Sequence, residues 1–410
     1  MIDTRREIEQ LVAFRGRGPG TDAERRAAAH LRRRLESLGR DAEVESTWIR
    51  PAWPLAHTGY ALTGVVASVV STAAPTIGLI AAAVALVLLV ADLGGRIHLG
   101  RRLTGRRASQ NVVSREDGGR PGTLVLVAHY DAARTGFVYG APARLRAALG
   151  RVVRRTIGPF RMVFWALAVV LACAALRTGG VESIAVSIVQ FVATIALILA
   201  VTAFADIALS GLSPGASDNA TGVATVLRLA ERYGDDLDHF DVWVVLTGGE
   251  EALAEGMREW IRSHRRELDP TATIFLNVDT VGSGTVRYAR RLGPLLTART
   301  HPRLLQLCGR LAEEDAQHGR YGVRAIVQRS ADDALAARRA GFPAVSVSCR
   351  EDDDHPAELH RGTDTPERLD DAALERAFGF CSELIELIDE EVGPDVAARR
   401  DAAREAVGER

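Results

Sequence analysis

Three hydrophobic patterns alternate along this chain. "DAERRAAAHLRRRLESLG", from Asp22 to Gly39, repeats its apolar positions at helical spacing and closes on a glycine, which predicts an amphipathic helix. Short continuous apolar runs, "NVVS", "TLVLVA", "DVWVVLT", "TIFLNV" and "PAVSVSC", predict strands buried on both faces. Helical stretches such as "TGVATVLRLAERY", "EALAEGMREWIRSHRREL" and "DDALAARRAG" separate several of them. That alternation predicts an α/β domain with a mostly parallel central sheet flanked by helices.

The third pattern is a pair of long apolar blocks. From Pro54 to Leu93 the ionisable residues are His57, Tyr60 and Asp92, and Pro75 divides the block. The second, Pro159 to Leu209, splits at "RTGGVES" into a span ending near Leu176 and a longer one from about Val181 to Phe204. A bilayer-spanning helix needs ~20 apolar residues, so the pattern predicts four transmembrane helices in two hairpins. Buried core helices are the competing account, but a soluble domain rarely needs segments this long and this poor in charge. Glycine, serine and threonine within the spans suit close helix packing in lipid.

Arginine sets the expected orientation. Arg50, Arg96, Arg101, Arg102, Arg106 and Arg107 flank the first hairpin, and Arg144, Arg146, Arg151, Arg154, Arg155 and Arg161 precede or open the second. The tight hairpin loops hold only Arg177. The positive-inside rule then predicts a multi-pass integral membrane protein with both termini and the α/β domain on the cytoplasmic side. The expected division is 1–53, 94–158 and 210–390 as one α/β domain, hairpins at 54–93 and 159–209, and a polar C-terminal tail at 391–410.

Composition narrows the partners. With 51 basic and 52 acidic residues the net charge is −1, so no basic field points to nucleic acid. Every basic residue is arginine, a bias from which no function follows. Cys173, Cys308, Cys349 and Cys381 have no CxxC spacing and read as small buried hydrophobes in a reducing compartment. "MIDTRREIEQLVAF" lacks the apolar region of a cleavable signal.

Candidate chemistry collects at strand ends, where open parallel sheets bind ligands. "LVLVA" runs out at His129 and Asp131, "VWVVLTGG" at Glu250 and Glu251, and "IFLNV" at Asp279. "SPGASDNATG" sets Asp218 at a turn before a helix, and "REDDDHPAELHRGTDT" carries His355 and His360. Each has a local explanation: Asp218 as a helix cap, the glutamates as first-turn acids, His355 as part of a solvated acidic run. Five such positions on one rim are instead a metal-site constellation.

These motifs resemble those of the family-28 zinc metallopeptidases, the bacterial leucyl aminopeptidase and aminopeptidase Y type. The similarity runs from the N-terminal helix to about Ile388, with the hairpins as insertions that the simplest members lack. "AHYD" resembles the first ligand motif, which implies that His129 binds zinc and that the Asp131 carboxylate orients it. "PGASDNATG" is similar to the bridging-aspartate motif, with Ser217 where a second acid is usual, and implies that Asp218 bridges two zinc ions. "GGEEALAEG" implies Glu250 as general base and Glu251 as ligand, and "LNVDTVG" implies Asp279 as ligand. "HRGTDT" resembles the closing motif, with HRG in place of the commoner HTP, and implies His360 as the last ligand. "SADDALAARRAGFPAVSV" is also similar to the stretch that precedes that histidine.

On this resemblance one ion takes His129 and Asp279, the other takes Glu251 and His360, and Asp218 is shared. Water between them is acidified toward a pKa of ~7, and Glu250 is free to accept its proton. A metal-bound imidazole usually donates its other N–H to a carboxylate, and Asp131, two residues on, returns to the side of His129. The expected activity is a membrane-embedded di-zinc aminopeptidase that uses a zinc-bridging hydroxide, recognises a free α-amino group and releases N-terminal residues from peptides. A glutaminyl-cyclase-like or carboxypeptidase-type member is the alternative, and the cyclase branch works with one zinc. A catalytically silent receptor or adaptor typically loses ligands, and none is missing. A transporter would carry ionisable groups along its spans. The second hairpin enters between His129 and Asp218, so the membrane face is expected to shield the cleft and restrict substrates to short or lipid-associated peptides. "TVRYARRLGPLL" is expected to be a pocket-lining loop.

Overall fold

A computed structural model of the chain describes residues 2–95, 98–140, 159–352 and 354–408. Arg96, Arg144, Arg146, Arg151, Arg154 and Arg155, part of the sidedness argument, lie outside the described residues.

All five apolar runs form strands: β2 (Arg107–Ser114), β3 (Gly122–His129), β4 (Phe240–Thr247), β5 (Thr273–Val278) and β9 (Ala344–Arg350). They join β1 (Glu43–Ile49), β6 (Thr285–Leu292), β7 (Ala298–Arg299) and β8 (Arg324–Gln328) in one sheet. Its order is β1-β2-β4-β3-β5-β9-β6-β7, with β8 on β6. The centre, β4-β3-β5-β9, is parallel, whereas β1, β2, β6 and β7 pair antiparallel, so the sheet is mixed. "TVRYARRL" is strand β6 rather than a loop.

Alternation along β3 sends Leu124, Leu126 and Ala128 to one face and Val125 and Val127 to the other. The first face packs with helices α1 (Thr4–Val12), α2 (Asp22–Ser37), α7 (Thr221–Tyr233), α9 (Pro302–His318) and α11 (Asp371–Gly408). The second packs on α8 (Glu255–Ser263) and α10 (Asp333–Ala340). The segment expected as a polar tail continues α11 to Gly408, and Arg400 hydrogen-bonds the Gly119 and Arg120 carbonyls.

The apolar blocks form four helices, α3 (Trp53–Val70), α4 (Pro75–Leu93), α5 (Pro159–Thr178) and α6 (Ile184–Leu209), around their own core. Three of them, Pro75–Leu93, Phe160–Thr178 and Ile184–Leu209, are long and apolar enough to cross a membrane, not four. Trp53–Val70 falls short because it carries His57, Tyr60, Thr58, Thr63 and Ser68. Part of that polarity is used inside the bundle: the Ser68 hydroxyl lies 2.6 Å from the Thr194 hydroxyl, and Gln190 donates to the Ser68 carbonyl at 2.7 Å. Outward, Ile77, Ile80, Val84, Val87, Ile188, Phe191 and Leu199 stand exposed, an apolar belt that a water-facing surface has no reason to display.

Candidate metal centre

Parallel register puts His129 opposite Thr247, so β3 and β4 end level, and β5 lies on the other side of β3. The residues that follow these ends converge. His129 Nε2 lies 3.3 Å from Asp218 Oδ1 and 3.6 Å from Asp279 Oδ1. His360 Nε2 lies 3.2 Å from Asp218 Oδ2 and 3.5 Å from Glu251 Oε1. Two donor groups thus meet at Asp218: His129, Asp218 and Asp279, and Asp218, Glu251 and His360. Glu250 belongs to a third group with His129 and Glu251, its Oε2 3.9 Å from His129 Nε2. His355 joins no such group among the described residues.

Asp131 lies beside His129. Its carboxylate is 3.6 Å from His129 Nδ1, while its backbone carbonyl is nearer at 3.2 Å. The carboxylate also accepts the N–H groups of Glu250 and Glu251 at 3.2 and 3.1 Å, because the β4 turn aims both amides at it. One buried acid therefore touches both motifs.

Supports that the sequence reading missed surround the centre. Asp364 accepts the N–H groups of Ser217 and Asp218 at 2.7 and 3.1 Å, and fixes the turn that carries Asp218. Asn219 accepts from Thr280 N and donates to the Val278 carbonyl, which ties that turn to Asp279. Arg17, fully buried, donates to the carbonyls of Tyr130, Pro214 and Gly215. Gly215 sits at φ +71°, and a Cβ there would meet the Arg17 guanidinium at 2.6 Å, so glycine is required twice over. Glu24 accepts from Gly249 N at 3.1 Å and from Ser109 Oγ at 2.8 Å, bracing the turn before Glu250. Leu253, Ala254, Thr280 and His360 adopt left-handed backbone, strain of the kind that collects at functional sites.

Electrostatics fit a cation. Burial pushes the Glu250 carboxyl well above its usual range, and Glu251 rises to about 8 with burial the main cause and Asp218 adding to it. Burial alone would lower His129 and His360, but surrounding carboxylates, Glu250 foremost at His129 and Glu251 at His360, push both well above the ordinary imidazole value. Asp218 is held below the carboxylate range because the two imidazoles outweigh its burial. Burial raises Asp364 to about 7, with Asp218 adding to the shift. Five carboxylates thus crowd two imidazoles where water is scarce, and buried charge of this kind is paired or metal-bound. Buried Asp218 Oδ2 has His360 Nε2 at 3.2 Å but accepts no well-aligned hydrogen bond, which fits an oxygen that would face a cation. The nitrogen and carboxylate donors suit zinc.

Trp53, at the start of α3, and Arg101, in the short turn Gly100–Leu103 beyond α4, reach this centre. Trp53 Nε1 donates to the Glu251 carbonyl at 2.8 Å, and Arg101 Nη1 to the Ala252 carbonyl at 3.0 Å.

Residues 195–385 match peptidase family M28. That segment contains Asp218, Glu250, Glu251, Asp279 and His360, while His129 and Asp131 precede it. No curated protein sequence matches the chain. Among solved structures, a Zn-dependent exopeptidase from Parabacteroides distasonis aligns with TM-score 0.53 and 12% identity over 93% of this chain and 96% of its own. A leucine aminopeptidase precursor from Bacteroides thetaiotaomicron gives 0.53 and 12% over 93% and 95%. A glutaminyl cyclase from the same organism, bound to N-acetylhistamine, gives 0.54 and 11% over 93% and 96%. The fold is that of zinc-dependent exopeptidases, and it serves peptidases and cyclases alike.

Proposed function

From a chain with an M28 segment and the fold of zinc-dependent exopeptidases, we propose a membrane-embedded aminopeptidase that holds two zinc ions. The observation that carries this reading is the pair of donor groups sharing Asp218. His129 and Asp279 would hold one ion and Glu251 and His360 the other, with Asp218 common to both groups. Bound zinc supplies a Lewis acid and an acidified water near neutral pH. Glu250 accepts the attacking water's proton on its carboxylate and returns it to the departing amine nitrogen. Asp131 holds the Glu250 and Glu251 amides, and so the spacing of base and ligand. The 1–53, 94–158 and 210–390 pieces act as one catalytic domain on the cytoplasmic side.

The bundle is also part of the substrate site. A cleft of about 220 Å³ opens beside Glu251 and His360 and is walled by Trp53, Pro54 and Leu55 of α3 and Ile207, Ala208 and Leu209 of α6. Clefts for drug-sized ligands hold roughly 300–1,000 Å³, so this one favours short peptides. Tyr139 stands edge-on to His360, ring centroids 4.6 Å apart, and lines the same cleft.

The test is hydrolysis by detergent-purified protein of a leucyl peptide, its N-acetyl form and a peptide with N-terminal glutamine. Release of leucine from the free amine alone is expected. Cyclisation of the glutamine without hydrolysis would replace this reading with the cyclase one, and silence on all three would leave a receptor.

A further inference from the structure

The cleft beside the metal centre has a charge pattern that the reaction does not use. Arg107, at the start of β2, and Arg134, in the loop after β3, line it together with Glu251, its one acidic wall residue. Both arginines are exposed, and among the described residues neither forms a salt bridge, the Arg134 side chain bonding only a backbone carbonyl. Arg134 donates Nη1 to the Ser210 carbonyl at 2.8 Å, and among the described residues its other guanidinium N–H groups and all of those of Arg107 make no hydrogen bond. The walls between are apolar: Pro19, Trp53, Leu55, Ile207 and Leu212. Acid and metal ligands thus share an apolar cleft with two unpaired guanidiniums. A planar guanidinium fits a carboxylate through two parallel N–H bonds, and it does so best where apolar walls limit water.

We propose that Arg107 and Arg134 bind the C-terminal carboxylate of the substrate, so that this enzyme acts on di- and tripeptides with both termini free. The inference rests on the aminopeptidase reading, which places the amino group at the metal end. The small cleft then holds a short zwitterion whose two charges meet opposite partners at its ends, and apolar side chains meet apolar walls. A longer peptide leaves the guanidiniums without a carboxylate. Arginines near a bilayer also meet lipid phosphates, and the experiment separates that role.

The experiment compares kcat/KM for leucyl-alanine and leucyl-alanine amide, in wild type and in an R107Q/R134Q variant of unchanged zinc content. The wild type is expected to prefer the free acid at least tenfold, through KM rather than kcat, and the variant to bring the ratio near one. A wild-type ratio near one overturns the proposal, as does a preference that survives both substitutions, which would leave the arginines to lipid. The wild-type ratio stands even where the variant does not fold. Hydrolysis of neither substrate, nor of leucyl anilide, sinks the aminopeptidase reading itself, whereas anilide hydrolysis without acid preference sinks only this proposal.

Discussion

Arg101→Met is expected to uncouple the helical bundle from the catalytic turn. The Arg101 side chain is fully buried; its Nε bonds Asp92 Oδ1 at 2.7 Å, and Nη1 lies 3.3 Å from Glu255 Oε1 as well as bonding Ala252. Asp92, at the end of α4, also meets His57 Nε2 at 3.0 Å and His98 Nδ1 at 2.7 Å. Glu255 in turn accepts Arg50 N at 2.5 Å. Methionine keeps most of the volume but leaves Asp92 buried without its arginine, and Glu255 with only the more distant Arg258 at 4.0 Å as its cation. Breaking a buried pair in this way costs about 3–5 kcal/mol. The lost bond to Ala252 adds about 1.5–3 kcal/mol as one made by a charged donor. These terms overlap, so a total near 4 kcal/mol is expected. Denaturant unfolding in detergent measures it, and leucyl-anilide kinetics should show kcat falling more than KM rises, since Glu250 and Glu251 sit on the released turn. Asp92→Asn added to Arg101→Met should recover part of the loss by removing the stranded charge. A change below about 1 kcal/mol with unaltered kcat, or a double variant as damaged as the sum of the singles, would refute the coupling.

Glu250→Gln should lower kcat by about 10²–10⁴ while zinc stays bound, and loss of metal along with activity would make Glu250 a ligand instead. Asp364→Ala strands the buried N–H groups of Ser217 and Asp218 at about 1–3 kcal/mol each, so weaker zinc retention against a chelator is expected; unchanged retention would mean that the turn holds itself. In the metal-free protein His129 and His360 are pushed toward the protonated form, and zinc needs them neutral. Affinity should therefore fall as pH falls, and calorimetry in buffers of different ionisation enthalpy should show proton release; pH-independent binding between about 6 and 8 would contradict this. The four native cysteines are buried, so an impermeant thiol label on intact cells should mark Gly179→Cys and not Arg106→Cys, and the reverse would overturn the cytoplasmic assignment.

The central strands were legible because their burial is continuous: nothing but a sheet core explains "TLVLVA" followed by His129. β6 was not, because Arg287 is fully buried within it, bonded to the Thr285 hydroxyl and the Gly322 carbonyl, and so reads as a loop arginine. β1 is an edge strand whose "EVESTWI" mixes charged and polar residues with apolar ones and buries only Ile49. The converging acids and histidines could be read from strand ends, since a parallel sheet brings those ends level. Arg17 and Glu24 could not, because their partners lie over a hundred residues away or on another strand. The one local signal was "TDAE", where the Thr21 hydroxyl caps Glu24 N and the Glu24 carboxylate returns to Gly20 N in a capping-box manner. Asp364 lay in plain sight within "HRGTDT". α3 has the length of a span, while the purpose of its polar face shows only once Gln190 and Asp92 stand against it.

Zinc content per chain in the purified protein tests the shared-aspartate centre most directly. Two zinc ions per chain, with Asp218→Asn retaining fewer under the same dialysis, is the predicted result. A single zinc in the fully active wild type, or two that persist unweakened in Asp218→Asn, would contradict it.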